Sequence, residues 1–226
     1  MVQVYSMVSV EDAVRVAAAG ADHVGLMVSQ WGLPYTVTPA LGRSICKAVR
    51  GLARCVMLPI THSPETIVSW AFYVEPDLVQ VASYESQMGY EEFARLSEEL
   101  RGSGFRVIRV IPIGAGGELE AARRYKGVSD ILMLDTHGEP PHPLLRGFIG
   151  GTGRTHDWSL SRRIRDSVRV PVILAGGLGP DNVAEAIRTV RPWGVDAATS
   201  LDLPGSMGRK DLARVISFIE RAREAF

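Results

Sequence analysis

The amino-acid sequence predicts a closed (β/α)8 barrel, the TIM barrel, and three observations predict it. Short apolar runs alternate with amphipathic stretches of helical period, eight times from one end to the other. The runs are apolar almost throughout, as expected of parallel strands buried on both faces. Connections are short and nothing reads as an interdomain linker, so one α/β domain spanning 1–226 is expected. Eight successive units favour closure over an open doubly wound sheet.

In chain order, a strand at 2–5 leads to a helix at 10–19, and one at 23–28 to a helix at 39–52. Strands at 54–59 and 78–82 precede helices at 64–73 and 90–101. The fifth and sixth strands, 106–113 and 130–134, precede helices at 118–125 and 159–167. The seventh, 170–175, is the clearest: Val170-Pro171-Val172-Ile173-Leu174 carries its proline near the start, where a strand tolerates it, and a helix follows at 180–190. The eighth, 195–199, leads to a helix at 209–225 that puts Leu212, Val215, Ile216 and Ile219 on one face. Helical aromatics such as Trp70 and Phe72 read as ordinary core.

Twenty-five basic residues balance twenty-five acidic ones. No global field draws the chain to nucleic acid or to an anionic membrane, so any anion site must be local. Cys46 lies in a helical pattern and Cys55 in an apolar run, and both read as buried free thiols. No C-x-x-C pair suggests zinc, and no metal or cofactor is expected. Without a signal sequence or an apolar segment of membrane length, a soluble cytoplasmic protein is expected.

Two glycine-rich turns close the chain, each where a strand runs toward a helix. Gly150-Gly151-Thr152-Gly153 leads through Arg154-Thr155-His156-Asp157 to Trp158, and Leu174-Ala175-Gly176-Gly177-Leu178-Gly179 follows the seventh strand. Unscreened backbone N–H groups with a helix start behind them attract an anion. Either turn alone is equally an ordinary helix start. Together they match the place where many barrels hold phosphate, after the seventh and eighth strands. The expected cradle is Gly151-Thr152-Gly153, Gly176-Gly177 and Thr199-Ser200. The partner is then a phosphorylated small molecule, and the protein a monomer or homodimer.

Asp135 ends the sixth strand, where a barrel side chain points into the mouth. Partial desolvation there raises a carboxyl pKa and suits a general acid; capping the next loop or pairing with an arginine is the competing role. His137, Glu139, His142 and His156 belong to the long loop 136–157 that follows, as candidate bases or as solvated loop residues. That loop is expected over the catalytic face. Arg154 and Arg109 are candidate anion partners, Arg109 facing the lumen or a polar layer because it lies mid-strand. Gly114-Ala115-Gly116-Gly117 reads as a flexible connection, and His23, at the opposite face, as structural.

These residues resemble the phosphoribosylanthranilate isomerase family, which performs an Amadori rearrangement in tryptophan biosynthesis on a (β/α)8 barrel. The likeness rests on Glu11-Asp12-Ala13, Gly20-Ala21-Asp22-His23-Val24-Gly25 and Val79-Gln80. It continues in Leu134-Asp135-Thr136, Gly150-Gly151-Thr152-Gly153 with Asp157-Trp158, Leu174-Ala175-Gly176-Gly177-Leu178 with Asn182-Val183, Gly194-Val195-Asp196, and Pro204-Gly205 before Lys210-Asp211. The resemblance implies phosphate on the backbone N–H groups of the last loops and Asp135 as the acid that protonates the furanose ring oxygen.

Other family positions differ. The K-I-C-G of the first strand, whose cysteine is the base, is Gln3-Val4-Tyr5-Ser6 here, so Tyr5 takes the cysteine position. The S-x-R loop that grips the anthranilate carboxylate is Gly32-Leu33-Pro34-Tyr35. Q-L-H-G becomes Gln80-Val81-Ala82-Ser83, and S-S-G becomes Ala198-Thr199-Ser200. Tyrosine titrates near 10, which favours Tyr5 as a donor or plug over a base. Two readings stand: an isomerase of this family with Asp135 and Tyr5 in the catalytic site, its base Tyr5 or a loop histidine, or a diverged barrel that binds or transforms another phosphorylated metabolite.

Overall fold

The computed structural model describes residues 1–138 and 145–226. Eight parallel strands form the barrel: β1 Val2–Val4, β2 His23–Val28, β3 Arg54–Pro59, β4 Leu78–Val81, β5 Arg106–Ile113, β6 Ile131–Thr136, β7 Val172–Leu174 and β8 Gly194–Ala197. Each pairs with the next, and β8 pairs with β1 in the register Gln3↔Asp196, which closes the cylinder. A two-residue strand at Thr36–Val37, which the sequence does not announce, pairs beside the end of β2.

Helices follow each strand: α1 Val10–Ala18, α2 Pro39–Val49, α3 Pro64–Val74, α4 Tyr90–Gly102, α5 Glu118–Tyr125, α6 Trp158–Ser167, α7 Val183–Val190 and α8 Leu212–Ala225. Their starts are set chemically. Ser9, Thr38 and Ser63 accept from backbone N–H groups of the first turn, and Pro39 and Pro64 open their helices where no N–H is needed. Asp211 accepts from the N–H groups of Ala213 and Arg214, so α8 begins at Leu212, with the apolar stripe, three residues later than the expected start at 209. β7 starts after Pro171, which has no N–H to donate, although its carbonyl still accepts from Leu132.

Strand parity divides the core in two. Ile108 and Val110 of β5 join Ile131, Met133 and Ile173 inside the barrel, while Val107 and Ile111 pack outward against the helices. That parity overturns the lumen placement of Arg109. Flanked by two inward residues, it points outward and is only 2% exposed. Its guanidinium lies 5.0 Å from the Phe93 ring and 4.5 Å from that of Tyr125, a cation–π sandwich between strand and helices. Phe72 departs from the expected core role as well: it is 55% exposed and edge-on to Phe105.

The cysteines are not free thiols. Cys46 on the inner face of α2 and Cys55 on the outward row of β3 have Cα atoms 5.4 Å apart and form a disulfide. The short turn between helix and strand folds one onto the other, which separation in sequence does not reveal. Closing so short a loop constrains the unfolded chain by about 2–3 kcal/mol. Reduction, or replacing both cysteines by serine, is expected to lower unfolding stability by that amount in denaturant melts; unchanged melts with and without reductant would contradict it. Among the described residues, no helix is long and apolar enough to cross a membrane.

Candidate active site

β6 runs Ile131-Leu132-Met133-Leu134-Asp135-Thr136, and its period of two turns Met133 and Asp135 into the barrel mouth. There Asp135 borders a cavity of about 650 Å³. Its Oδ1 accepts from the Thr136 N–H at 2.7 Å. Burial pushes the carboxyl up to about 6, against the opposing pull of that hydrogen bond.

The same cavity is lined by Gly151-Thr152-Gly153, Gly176-Gly177 and Thr199-Ser200, so the glycine turns and Asp135 share one space. Neither long helix starts directly behind its turn, contrary to the sequence reading. α6 waits for Asp157, whose carboxylate accepts from Ser159 and Leu160 N–H. α7 waits for Asn182, whose side chain accepts from Gly179 N–H and donates to the Gly177 carbonyl, bracing the second turn. The helical element that directly follows a strand end is the single 3₁₀ turn Thr199–Leu201 after β8. Ser200 Oγ donates to the Leu178 carbonyl and joins this turn to the glycine turn.

His156 is part of that scaffold and is not a solvated loop residue. Thr136 Oγ1 donates to the Arg154 carbonyl, leaving its lone pair to the His156 Nδ1 proton at 3.0 Å, while Nε2 sits 2.8 Å from Ser161 Oγ. Burial lowers its pKa to about 4, so the ring is neutral and pins the first glycine loop to β6 and α6. His137 lies exposed, with Nδ1 3.0 Å from the Tyr84 hydroxyl and outside the cavity wall. Glu139 and His142 lie outside the described residues. Arg154 is an exposed loop residue that does not line the cavity. The third glycine turn is not a loose connection: Glu118 accepts from both Gly114 and Gly116 N–H at 2.8 Å, which occupies the amides an anion would use. His23 is buried against Gln3, as its position at the far face suggests.

Tyr5 continues β1 into the mouth, its ring lying so close over Gly25 that no Cβ would fit there. The hydroxyl has no hydrogen-bond partner among the described residues. Burial, helped by the nearby Asp196 carboxylate, pushes it well above the ordinary tyrosine value. The rest of the cavity lining includes the apolar side chains of Met27, Pro34, Leu58 and Ile60 with Phe148 and Ile149 from the long loop. The Ile149 N–H donates to the Ala82 carbonyl at the end of β4, which seats this part of the loop on the mouth.

Sequence reasoning passed over Asp196. It was part of a matching strand, but the signal was its place between outward Val195 and Ala197, which turns it inward. It lines the cavity at 9% exposure. Burial and the Asp135 charge push it up to about 7, with the Gln3 amide and the Lys210 ammonium acting the other way. Lys210, itself buried, is held by Asp202 at 2.5 Å and by the Ala198 carbonyl.

Both carboxyls are raised on folding, so each costs stability once ionised. The folded protein binds more protons than the unfolded chain between about 4 and 7, and the cost is complete above that window and absent below it. Asp135→Asn and Asp196→Asn should therefore stabilise the protein by about 3 and about 4 kcal/mol respectively at pH 8. The gain should vanish near pH 4 in urea melts, and an equal gain at both pH values would refute this account.

The sequence model of N-(5'-phosphoribosyl)anthranilate (PRA) isomerases matches residues 2–221. The N-(5'-phosphoribosyl)anthranilate isomerase of Methanocella arvoryzae is 38% identical over 213 residues, covering 94% of this chain and 93% of its own. The crystal structure of the phosphoribosyl anthranilate isomerase from Thermotoga maritima superposes with a TM-score of 0.79 at 28% identity, covering 99% and 98% of the two chains. A phosphoribosyl anthranilate isomerase crystallised with reduced 1-(o-carboxyphenylamino)-1-deoxyribulose 5-phosphate gives 0.77 at 26%, with coverage of 99% and 98%. Because the family model matches this chain over residues 2–221, the chain belongs to the N-(5'-phosphoribosyl)anthranilate isomerase family.

Proposed function

We propose that this chain isomerises N-(5'-phosphoribosyl)anthranilate in tryptophan biosynthesis, as a cytoplasmic monomer or homodimer working through one barrel over 1–226. The observation that carries the reading is the raised Asp135 carboxyl facing the same cavity as the glycine turns. Backbone N–H groups around Gly151-Thr152-Gly153, Gly176-Gly177 and Thr199-Ser200 hold the substrate phosphate and fix the ribose across the mouth. Asp135 gives its proton to the furanose ring oxygen as the bond from that oxygen to C1' breaks, and the nitrogen lone pair forms the iminium. Loss of the C2' proton gives the enolamine, which takes a proton at C1' and gives up its C2' hydroxyl proton, by way of solvent, to the Asp135 carboxylate, restoring the acid and leaving the ketose. A carboxyl near 6 keeps enough acid form at neutral pH to donate and is a much stronger acid than water.

Tyr5, protonated at any physiological pH, hydrogen-bonds substrate or narrows the aryl bay; it is not the base. The other reading, a barrel for a different phosphorylated metabolite, is disfavoured by a family match spanning nearly the whole chain. Incubation of the purified protein with N-(5'-phosphoribosyl)anthranilate should consume the fluorescent substrate catalytically, with inorganic phosphate competing. Competition by phosphate without turnover would favour the other reading.

A further inference from the structure

Taking the isomerase reading as its basis, we infer that Asp196 is the general base that removes the C2' proton, in place of the cysteine for which this chain has Tyr5. The chemistry requires a base within the cavity. Among the described residues that line it, the side chains that titrate are Tyr5, Tyr35, Asp135 and Asp196. Asp135 is engaged as the acid. Tyr5 is disfavoured as an anion by its burial and by the carboxylate beside it.

Asp196 has the geometry the role demands. It stands on β8 in register with Gln3, next to the strand that carries Tyr5, and two strands from Asp135 around the wall. It is more than nine-tenths buried yet borders the cavity, and its Oδ1 has no hydrogen-bond partner among the described residues. A buried acceptor left open is costly unless a ligand group fills it. The charged and titratable groups acting on it are Tyr5 from β1, Asp135 from β6 and Lys210 from the segment after β8, with the Gln3 amide alongside. The Asp135 charge acts on Asp196 across the mouth, so the titration of the second carboxyl is tied to the state of the first.

In the step itself, the bond from C2' to hydrogen breaks and the proton passes to an Asp196 carboxylate oxygen. Its electron pair becomes the C1'–C2' double bond, and the iminium electrons return to nitrogen. Asp196 then returns a proton as the enolamine is protonated at C1', and no oxidant or reductant is consumed.

The test compares Asp196→Asn, Asp196→Glu, Asp196→Ala and Asp135→Asn on N-(5'-phosphoribosyl)anthranilate, with binding of an inert phosphate ester as the fold control. Asp196→Asn should lower kcat by about 10²–10⁴-fold with KM within a few-fold, and Asp196→Glu should recover part of the loss. Formate should restore turnover to Asp196→Ala, which a purely structural role would not allow. The acidic limb of the native pH profile should disappear in Asp196→Asn and persist in Tyr5→Phe. If Asp196→Asn keeps kcat within about threefold while Asp135→Asn loses it, the base assignment falls and the isomerase reading stands. Loss of the acidic limb in Tyr5→Phe or in His142→Ala instead would also overturn the assignment. Absence of turnover in the native protein overturns the isomerase reading and this assignment together.

Discussion

Asp135→Asn should lower isomerase kcat by about 10³-fold while affinity for an inert phosphate ester stays within a few-fold. Asparagine has nearly the shape of aspartate, and its Oδ1 still accepts from the Thr136 N–H, so the end of β6 and the glycine loop beside it keep their places. What is lost is the proton. Without it the ring oxygen leaves as an alkoxide or draws on water, a far weaker acid. The proposed phosphate contacts are backbone N–H groups of the turns after β6, β7 and β8, which line the cavity, and do not include this carboxyl. Steady-state kinetics set beside calorimetric binding of the ester separate the two effects. If kcat holds, Asp135 does no more than cap Thr136, the competing role its position allows. Misfolding as an explanation is addressed by the same variant, which should be more stable than the native protein at pH 8.

The barrel was legible because periodicity is a local property. Near-continuous apolar strands such as 54–59 and 106–113, and helices opened by proline or by a capping serine, declare themselves within ten residues. Asp135 and the glycine turns were legible because a strand's C-terminal end maps to the mouth by rule. What stayed hidden depends on which way a side chain turns or on contacts between distant segments. A shift of one residue decides whether a strand residue sees lumen or helix, so the sequence offers Arg109 the lumen or a polar layer and does not single out Asp196. The Cys46–Cys55 pairing depends on how a helix settles onto its own strand. His156 looked like a loop residue because Thr136 and Ser161, which bury it, are 20 and 5 residues away. The raised carboxyls are collective as well, since both depend on burial by the assembled barrel and Asp196 also on the Asp135 charge.

Gly153→Asp is expected to weaken phosphate-ester binding by roughly a hundredfold or more, with little change in thermal stability. The sequence alone suggests Gly177 for such a test, but the structure argues against it. A Cβ on Gly177, at φ +59, would run into the backbone of Arg154 and Thr155, so any side chain there displaces the loop and mixes strain with charge. Gly153 also lies in the left-handed region, at φ +66, but a Cβ there meets nothing within 4 Å. Aspartate and asparagine are the residues that tolerate this backbone best. A carboxylate at Gly153 would lie within several ångströms of a bound dianion at a half-screened site, a repulsion of roughly 3 kcal/mol. Gly153→Asn carries the same shape and backbone cost without the charge, so the ratio of the two affinities isolates electrostatics. It should rise at low salt and shrink at high salt, as a partly exposed pair requires. Equal affinities in the two variants would mean that the phosphate does not occupy the first glycine turn, and the orientation of the sugar toward Asp135 would have to be abandoned with it.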